Sequence, residues 1–190
     1  MRTAVKRAMI AVIGDGHLPE SDRRIHLAYE CGKLLVDRGF RIVTGGLGGV
    51  MRAASWGATS SAHYQPGDVI GVLPGHNPED ANEYVDIVVA TGFDVARNLV
   101  VANADAVIAI GGGAGTLSEI AIAWQLHRLI VGLRVDGWSG ELADRRVDAR
   151  IRYPDIVDDR VYGADGPEDA VRHIWERLPL YQRRHRGVRG

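Results

Sequence analysis

A glycine-rich segment near the middle of the chain has the residue types of an anion-binding site. Residues 105–110 predict a buried strand, and the sequence GGGAGTLSE at 111–119 predicts a tight turn that opens a helix. Gly111, Gly112, Gly113 and Gly115 would let the backbone take positive φ angles and let a ligand approach bare amide groups. Together with the positive end of the following helix, these amides could bind an anion such as a phosphate.

Two polar side chains next to these glycines could act on a bound ligand. Thr116 offers a hydroxyl group, and Glu119 offers a carboxylate that its place in the first turns of the helix would keep ionised. Two other interpretations remain open at this point. The turn could serve packing alone, and Glu119 could be the capping-box partner of Thr116.

The elements that would position these residues alternate between strands and helices. Such alternation predicts an α/β protein with a Rossmann-like, doubly wound and mainly parallel sheet, and with helices on both faces of that sheet. In the predicted helices, Leu99, Val100 and Trp175 are expected to face inward, and Ser21 is expected to cap the first helix. Residues 135–160 are too rich in charges and turns for elements to be assigned. The predicted strands are 7–14, 41–44, 68–73, 86–90, 105–110 and 129–133, and the predicted helices include 50–62, 94–103 and 168–178.

The ends of the predicted strands carry most of the glycines with a candidate role. Carboxyl ends of parallel strands share one edge of a sheet, where ligands bind in folds of this kind. The loops at 45–49 and 111–115 each open a helix directly, which predicts two helix N-termini facing one cleft. The candidate phosphate-binding or nucleotide-binding residues at this edge are Gly14, Gly45, Gly46, Gly48, Gly49, Gly111, Gly112, Gly113, Gly115 and Thr116.

Several common ligand classes lack their sequence signatures. The chain has no GxxxxGK[ST] motif, which argues against a P-loop NTPase. Its first strand is not followed by GxGxxG, and its second strand does not end in the acidic residue that holds the ribose of NAD, so a dehydrogenase is not expected. It has no HExxH and no paired-cysteine motif, so neither a metal site nor a resident cofactor is expected. Lys6 and Lys33 do not follow strand ends, which argues against a pyridoxal-dependent lysine decarboxylase.

Two motifs resemble those of a known family. GGGAGTLSE at 111–119 resembles the PGGxGTxxE signature of the LOG family, cytokinin-activating phosphoribohydrolases once mislabelled lysine decarboxylases. TGGLGGVM at 44–51 resembles the family's second glycine motif. IGVLPG, NEYVDI, ARN and IGGGAGTLSEI are closer to a bacterial and archaeal branch that is related to molybdenum cofactor carrier proteins. The resemblance covers roughly residues 9–131.

This resemblance implies roles for particular residues. Gly112, Gly113, Gly115 and Thr116 would hold a phosphate, and Glu119 would act at the sugar. Arg97 would supply the arginine that completes the LOG site, where it could grip a 5′-phosphate through two hydrogen bonds. Asn98, its neighbour, stands where LOG enzymes have a lysine and is a further candidate phosphate-binding or nucleotide-binding residue.

Two functions therefore stand as expectations. The first is binding of a nucleoside 5′-monophosphate with phosphoribohydrolase activity, in which Glu119 would oppose the positive charge of an oxocarbenium-like transition state. The second is a carrier for a phosphorylated pterin such as the molybdenum cofactor. Both need a small phosphorylated ligand. A DNA-processing scaffold is a more distant third, because a formal net charge of −1 disfavours nucleic-acid binding.

Composition sets the remaining expectations. Residues 1–180 are expected to form one domain, and residues 181–190 a basic, disordered tail. The single cysteine, Cys31, suits a reducing compartment, and no long apolar run is present, so a cytoplasmic protein without membrane contact is expected. The LOG resemblance and the aromatic residues Trp56 and Trp138 favour a homodimer or a larger homo-oligomer.

Overall fold

The protein forms a seven-stranded sheet in which every neighbouring pair of strands is parallel. This computed structural model describes residues 7–183. The strand order is β4-β3-β2-β1-β5-β6-β7, so the order reverses between β1 and β5. The predicted Rossmann-like parallel fold in one domain is confirmed. The strands are β1 (Met9–Gly14), β2 (Arg41–Thr44), β3 (Val69–Leu73), β4 (Ile87–Ala90), β5 (Ala106–Ile110), β6 (Leu129–Leu133) and β7 (Val161–Ala164).

Helices cover both faces of the sheet, as a sheet with apolar residues on both faces requires. The buried apolar side chains form two clusters. In one cluster the strands pack against the first, second and last helices, and in the other they pack against the third and fourth helices. The α-helices of the described residues are α1 (Arg23–Asp37), α2 (Val50–Thr59), α3 (Asn98–Ala102), α4 (Ala114–Gln125), α5 (Trp138–Leu142) and α6 (Pro167–Arg177). Short 3₁₀ turns occur at Pro78–Asp80, Asp94–Arg97 and Leu178–Leu180.

Helices α1 and α2 approach each other through glycines. A Cβ atom at Gly32 would overlap with the carbonyl oxygen of Ala54, and one at Gly57 would overlap with the carbonyl oxygen of Tyr29. The two backbones are therefore in direct contact, which fixes α2 and the loop that precedes it.

Some local predictions are wrong. Asp22, rather than Ser21, caps α1, where its side chain accepts a hydrogen bond from the backbone N–H of Arg24. Leu99 and Val100 are exposed because α3 is a single short turn that buries Asn98 and Val101 instead. Trp175 is 54% exposed, and its ring meets that of Phe40 at a steep angle of 72°.

The segment that could not be assigned holds α5 and leads into β7. Its irregular part is anchored by a buried ion pair, in which the Arg152 guanidinium donates two hydrogen bonds to the Asp159 carboxylate at 2.6 and 3.0 Å. The hydroxyl group of Tyr181 donates to the same carboxylate at 2.8 Å, and Tyr181 is 2% exposed. Tyr181 is therefore a core residue and not part of a tail. Residues 184–190, which make up most of the expected tail, lie outside the described residues.

Candidate functional site

A cleft of 280 Å³ lies at the point where the strand order reverses. One wall comes from the end of β1 and the following loop, Ile13 to Gly16. The other comes from the start of α4, which follows β5, and from the segment that leads into α3. This is the edge and the position at which parallel α/β sheets bind ligands. The expectation that Gly14, Gly45, Gly75 and Gly111 lie at one edge agrees with the parallel pairing of their strands.

The first two glycines of the GGGAGT turn are held by the protein itself. Gly111 and Gly112 have positive φ angles of 65° and 93° and are buried. The amide of Gly111 donates to the Ser139 hydroxyl at 2.7 Å, and the amide of Gly112 donates to the Asp15 carboxylate at 2.8 Å. These two amides therefore fix the loop, and the expectation that their N–H groups face a ligand is wrong.

The later part of the turn faces the cleft. Gly113 caps α4 with a φ of −97°, and Gly115 lies in the first turn of α4, so the expected positive φ angles at these two glycines are wrong. A Cβ at either position would meet no atom within 4 Å. The amides of Ala114, Gly115 and Thr116 precede the first bond of the α4 ladder, Leu117 N–H to Gly113 C=O. This start of α4 presents backbone donors to open space.

Arg97 and Glu119 meet inside the cleft. The Arg97 guanidinium donates to the Glu119 carboxylate at 3.3 Å, and their side chains are 14% and 8% exposed. Burial raises the pKa of Glu119 to about 7, and the nearby charge of Arg97 opposes this rise only in part. The expectation that the helix start favours the ionised form of Glu119 is outweighed by burial, because Glu119 lies in the second turn of α4 and is desolvated.

The capping-box interpretation of Glu119 is also wrong. Gly113 is the N-cap residue of α4 and makes no side-chain capping bond, so Thr116 lies inside the helix. Thr116 is 4% exposed and lines the cleft, and its side chain occupies the space beside Gly112.

Asn98 lines the cleft beside Arg97. Its amide nitrogen donates to the Ser118 hydroxyl at 2.8 Å, and that hydroxyl donates to the carbonyl oxygen of Gly115 at 2.7 Å. Asn98 thus links α3 to the first turn of α4, the two elements that form this wall of the cleft.

The second glycine motif lies partly at the cleft and partly behind it. Gly45 packs against Arg97, since a Cβ there would come within 2.5 Å of the guanidinium. Gly46 packs against Leu73 and Gly71, away from the cleft. Gly48 and Gly49 pack on the loop after β1, and Gly49 caps α2. Gly14 allows β1 to approach β5, because a Cβ there would overlap with the Ile110 carbonyl oxygen.

Sequence reasoning missed several residues at the cleft. Asp15 accepts from both Gly112 and Arg24, the latter at 2.9 Å, and so joins the β1 loop to the β5 loop. Leu47 and Met51 line the cleft from the second glycine motif. Asp15 follows a strand-end glycine directly, a position that could have singled it out.

Neither a metal cluster nor a membrane span is seen in the part of the chain that the structure describes. Residues 7–183 hold no group of three or more His, Cys, Asp or Glu side chains arranged for a metal ion. Over the same residues, no helix has the length and apolar character needed to cross a bilayer.

The parallel sheet and its switch-point cleft place this chain among the Rossmann-like α/β proteins. Residues 7–160 match the SLOG cluster4 family, and the chain belongs to that family. An uncharacterized protein of Archaeoglobus fulgidus is 40% identical over 131 residues, which are 68% of this chain and 82% of that protein.

Two solved structures share the fold over nearly their whole length. The molybdenum cofactor binding protein of the phototrophic bacterium Rippkaea orientalis is 31% identical, with 90% of this chain and 98% of that chain covered and a TM-score of 0.73. The molybdenum cofactor carrier protein of Chlamydomonas reinhardtii is 26% identical, with 92% and 99% covered and a TM-score of 0.72. The resemblance to a LOG-like branch related to such carriers is confirmed.

Proposed function

We propose that this protein binds a phosphorylated small molecule in the switch-point cleft, and that the ligand is a phosphorylated pterin of the molybdenum cofactor type. The start of α4 carries this proposal, because Gly113 and Gly115 leave its free amide groups open to the cleft. The fold shared with a molybdenum cofactor binding protein and a molybdenum cofactor carrier protein, over about nine-tenths of this chain, supports the choice of ligand.

The charges of the cleft suit an anion held against the protein backbone. The first-turn amides of α4 and the helix dipole would face the phosphate oxygens. The Arg97 guanidinium lies in the same cleft and supplies the positive charge. Protonation of Glu119 near neutral pH would remove the negative charge that lies beside Arg97 and opposes a bound phosphate there.

Recovery of the bound ligand tests the proposal. The purified protein is denatured and the released small molecules are identified by mass spectrometry, with Gly113→Val protein prepared in parallel. We expect a phosphorylated pterin or its oxidation product from the wild-type protein and much less from the variant. Equal recovery from both proteins would place the ligand elsewhere.

A second candidate function is phosphoribohydrolysis, favoured by the direct contact of Arg97 and Glu119. In this reaction the N-glycosidic bond breaks and its electron pair leaves with the base, which takes up a proton. Water then adds to C1′ of the ribose. Ionised Glu119 would stabilise the oxocarbenium-like state, while Arg97 would hold the 5′-phosphate.

Release of free base from AMP and GMP tests this second candidate. If it holds, Glu119→Gln should abolish nearly all turnover while ligand binding stays largely intact, because the amide keeps the shape and loses the charge. Arg97→Ala should weaken binding as well. If the wild-type protein binds a monophosphate but releases no base, phosphoribohydrolysis is refuted and the carrier function remains.

We also propose that the protein is a homo-oligomer. Trp138, one of the two tryptophans expected at an interface, is 38% exposed. A further group of exposed apolar side chains lies on the edge strand β4 and on the segment after it, at Ile87, Val89, Phe93, Val95 and Leu99. Covering such a group is a common reason for subunits to associate. Light scattering is expected to give a mass of at least twice 20.6 kDa, and a single 20.6 kDa species would contradict it.

A further inference from the structure

A second cavity, of 680 Å³, lies beside the cleft on the side of α1 and α2. Its main lining side chains are Leu18, Glu20, Ile25, Arg52, Trp56 and Tyr84. None of these residues lines the cleft, and none belongs to the glycine motifs. The cavity has a larger volume than the cleft, and it is lined by aromatic and aliphatic side chains where the cleft lining includes several glycines.

One wall of this cavity is made of flat groups. The rings of Trp56 and Tyr84 are nearly parallel, with 21° between their planes and 6.2 Å between their centroids. Trp56 is also braced by the edge of Tyr29, at 4.8 Å between centroids. The Arg52 guanidinium lies 5.3 Å above the Tyr84 ring and donates to the Glu83 carboxylate at 3.2 Å. Because Arg52 and Trp56 are four residues apart on α2, they share one face of that helix.

The rest of the cavity is apolar with one acidic group. Leu18 and Ile25 supply apolar surface, and Glu20 supplies a carboxylate. The hydrogen bond to Glu83 raises the pKa of Arg52, and the charge of Glu20 adds a weaker effect in the same direction, so Glu20 lies within electrostatic reach of Arg52. An aromatic wall with a carboxylate nearby suits a flat ring that carries adjacent N–H groups along one edge.

The cavity and the cleft are neighbours, because their lining residues come from the same two loops and from successive residues of α2. Gly16 lines the cleft and Gly49 lines the cavity, and their loops pack against each other. On α2, Met51 lines the cleft and the next residue, Arg52, lines the cavity. At about 1.5 Å of rise per residue, Trp56 lies roughly 7.5 Å along α2 from Met51.

We propose that this cavity binds the fused 2-amino-4-oxopyrimidine ring of the same ligand whose phosphate occupies the cleft. Trp56 and Arg52 would stack on the ring, and Glu20 would accept hydrogen bonds from its ring N–H and its amino group. Pterins and guanine share this ring edge, whereas adenine lacks it. The inference rests on the proposed function, because it assumes that the phosphate lies at the start of α4.

Titration calorimetry with ribose 5-phosphate, AMP, IMP and GMP tests the ring site separately from the phosphate site. IMP keeps the ring N–H and lacks the amino group, so we expect GMP to bind most tightly, followed by IMP and then AMP. Trp56→Ala should weaken GMP binding about ten-fold and leave ribose 5-phosphate binding unchanged. Glu20→Gln should remove most of the advantage of GMP over AMP. Trp175→Ala, which changes a similarly exposed tryptophan on α6, should alter neither ligand's affinity.

Different outcomes overturn different claims. Equal affinities for GMP and ribose 5-phosphate, or a Trp56→Ala protein that binds GMP normally, would refute the ring site while leaving the proposed function intact. Equal affinities for GMP and AMP would refute the role given to Glu20. If none of the four ligands binds, the ring site and the phosphate site are both refuted. The exposed substitution Glu20→Gln keeps the test decisive if thermal melting shows that Trp56→Ala is unfolded.

Discussion

Glu119 carries a carboxyl group in a place where its charged form is poorly solvated. Its side chain is 8% exposed and has Arg97 as its ion-pair partner at 3.3 Å. Burial is the larger effect and raises the pKa of Glu119 to about 7. The folded protein therefore holds this proton more tightly than the unfolded chain, in which the pKa is near 4.5.

This difference predicts how stability changes with pH. Between about pH 4.5 and pH 7 the folded state binds more protons at Glu119, so the free energy of unfolding should fall as the pH rises, by roughly 3 kcal/mol in all. Glu119→Gln removes this contribution and should flatten the dependence, with a constant offset because Arg97 loses its partner. Urea unfolding at pH 5 and pH 8 gives the change in the free energy of unfolding between the two pH values for each protein. An equal change in the wild type and in Glu119→Gln would contradict the prediction.

Gly113 offers a second test at the residue scale. A Cβ there meets nothing within 4 Å and its φ of −97° is negative, so Gly113→Val should keep the fold, with some loss of stability because its ψ of −149° lies outside the extended region. The added side chain would occupy the cleft and should weaken phosphate binding at least about ten-fold. Gly166→Val, at the extended N-cap of α6, is the matched control and should bind normally. Gly112→Val should instead destabilise the protein, because Gly112 has a φ of 93° and faces Thr116.

The glycine motif alone could predict that a cleft lies at this edge of the sheet, but it could not predict the role of each glycine. Gly111, Gly112, Gly113 and Gly115 are equivalent in a sequence. Their division into two that fix the loop and two that leave α4 open depends on Ser139 and Asp15, which are 28 and 97 residues away in the chain. The pKa of Glu119 was missed for a similar reason, since burial is a property of the packed molecule.

At the scale of elements, the contact of α1 with α2 should be intolerant of added volume. A methyl group at Gly57 would overlap with the Tyr29 carbonyl oxygen, so Gly57→Ala should cost about 3 kcal/mol of stability. Chemical denaturation measures this cost. Gly166→Ala is the control, because a Cβ there meets no atom closer than 3.9 Å. It should change the free energy of unfolding by about 0.5 kcal/mol, the usual size for a surface substitution. A Gly57→Ala protein as stable as the wild type would show that the helices can separate.

Elements with a clear apolar period could be predicted from the sequence, and the short ones could not. The first six strands were expected within a residue or two of their true bounds, because apolar residues at those places alternate with helical segments. Helix α3 has five residues, too few to show a period, so Leu99 and Val100 were placed on the wrong side. Strand β7 has four residues and follows a charged segment.

At the scale of the whole molecule, the C-terminal segment closes the core around a charged pair. Arg152 and Asp159 are 3% and 5% exposed as side chains, and the Arg152 guanidinium stacks on Trp124 at 3.5 Å. From the sequence alone, charged residues such as Arg152 and Asp159 predict an exposed loop. Here they are buried because each finds its partner, and they draw Tyr181 into the core.

Replacement of Tyr181 tests this closure. Tyr181→Ala should lower the free energy of unfolding by about 3 to 5 kcal/mol, since it empties a buried ring site. Tyr181→Phe should cost about 1 to 2 kcal/mol, because the Asp159 carboxylate loses one donor. Thermal and urea unfolding measure both variants. Unchanged stability of Tyr181→Ala would mean that this segment does not pack on the core in solution.

The ties of the β5 loop to Ser139 and Asp15 bear on the kinetics of ligand capture. Both hydrogen bonds belong to the folded chain, and Arg24 holds Asp15 from α1. The loop has therefore lost its conformational entropy on folding, before any ligand arrives. Association should then be a single step whose observed rate rises linearly with ligand concentration, and related ligands should differ mainly in residence time.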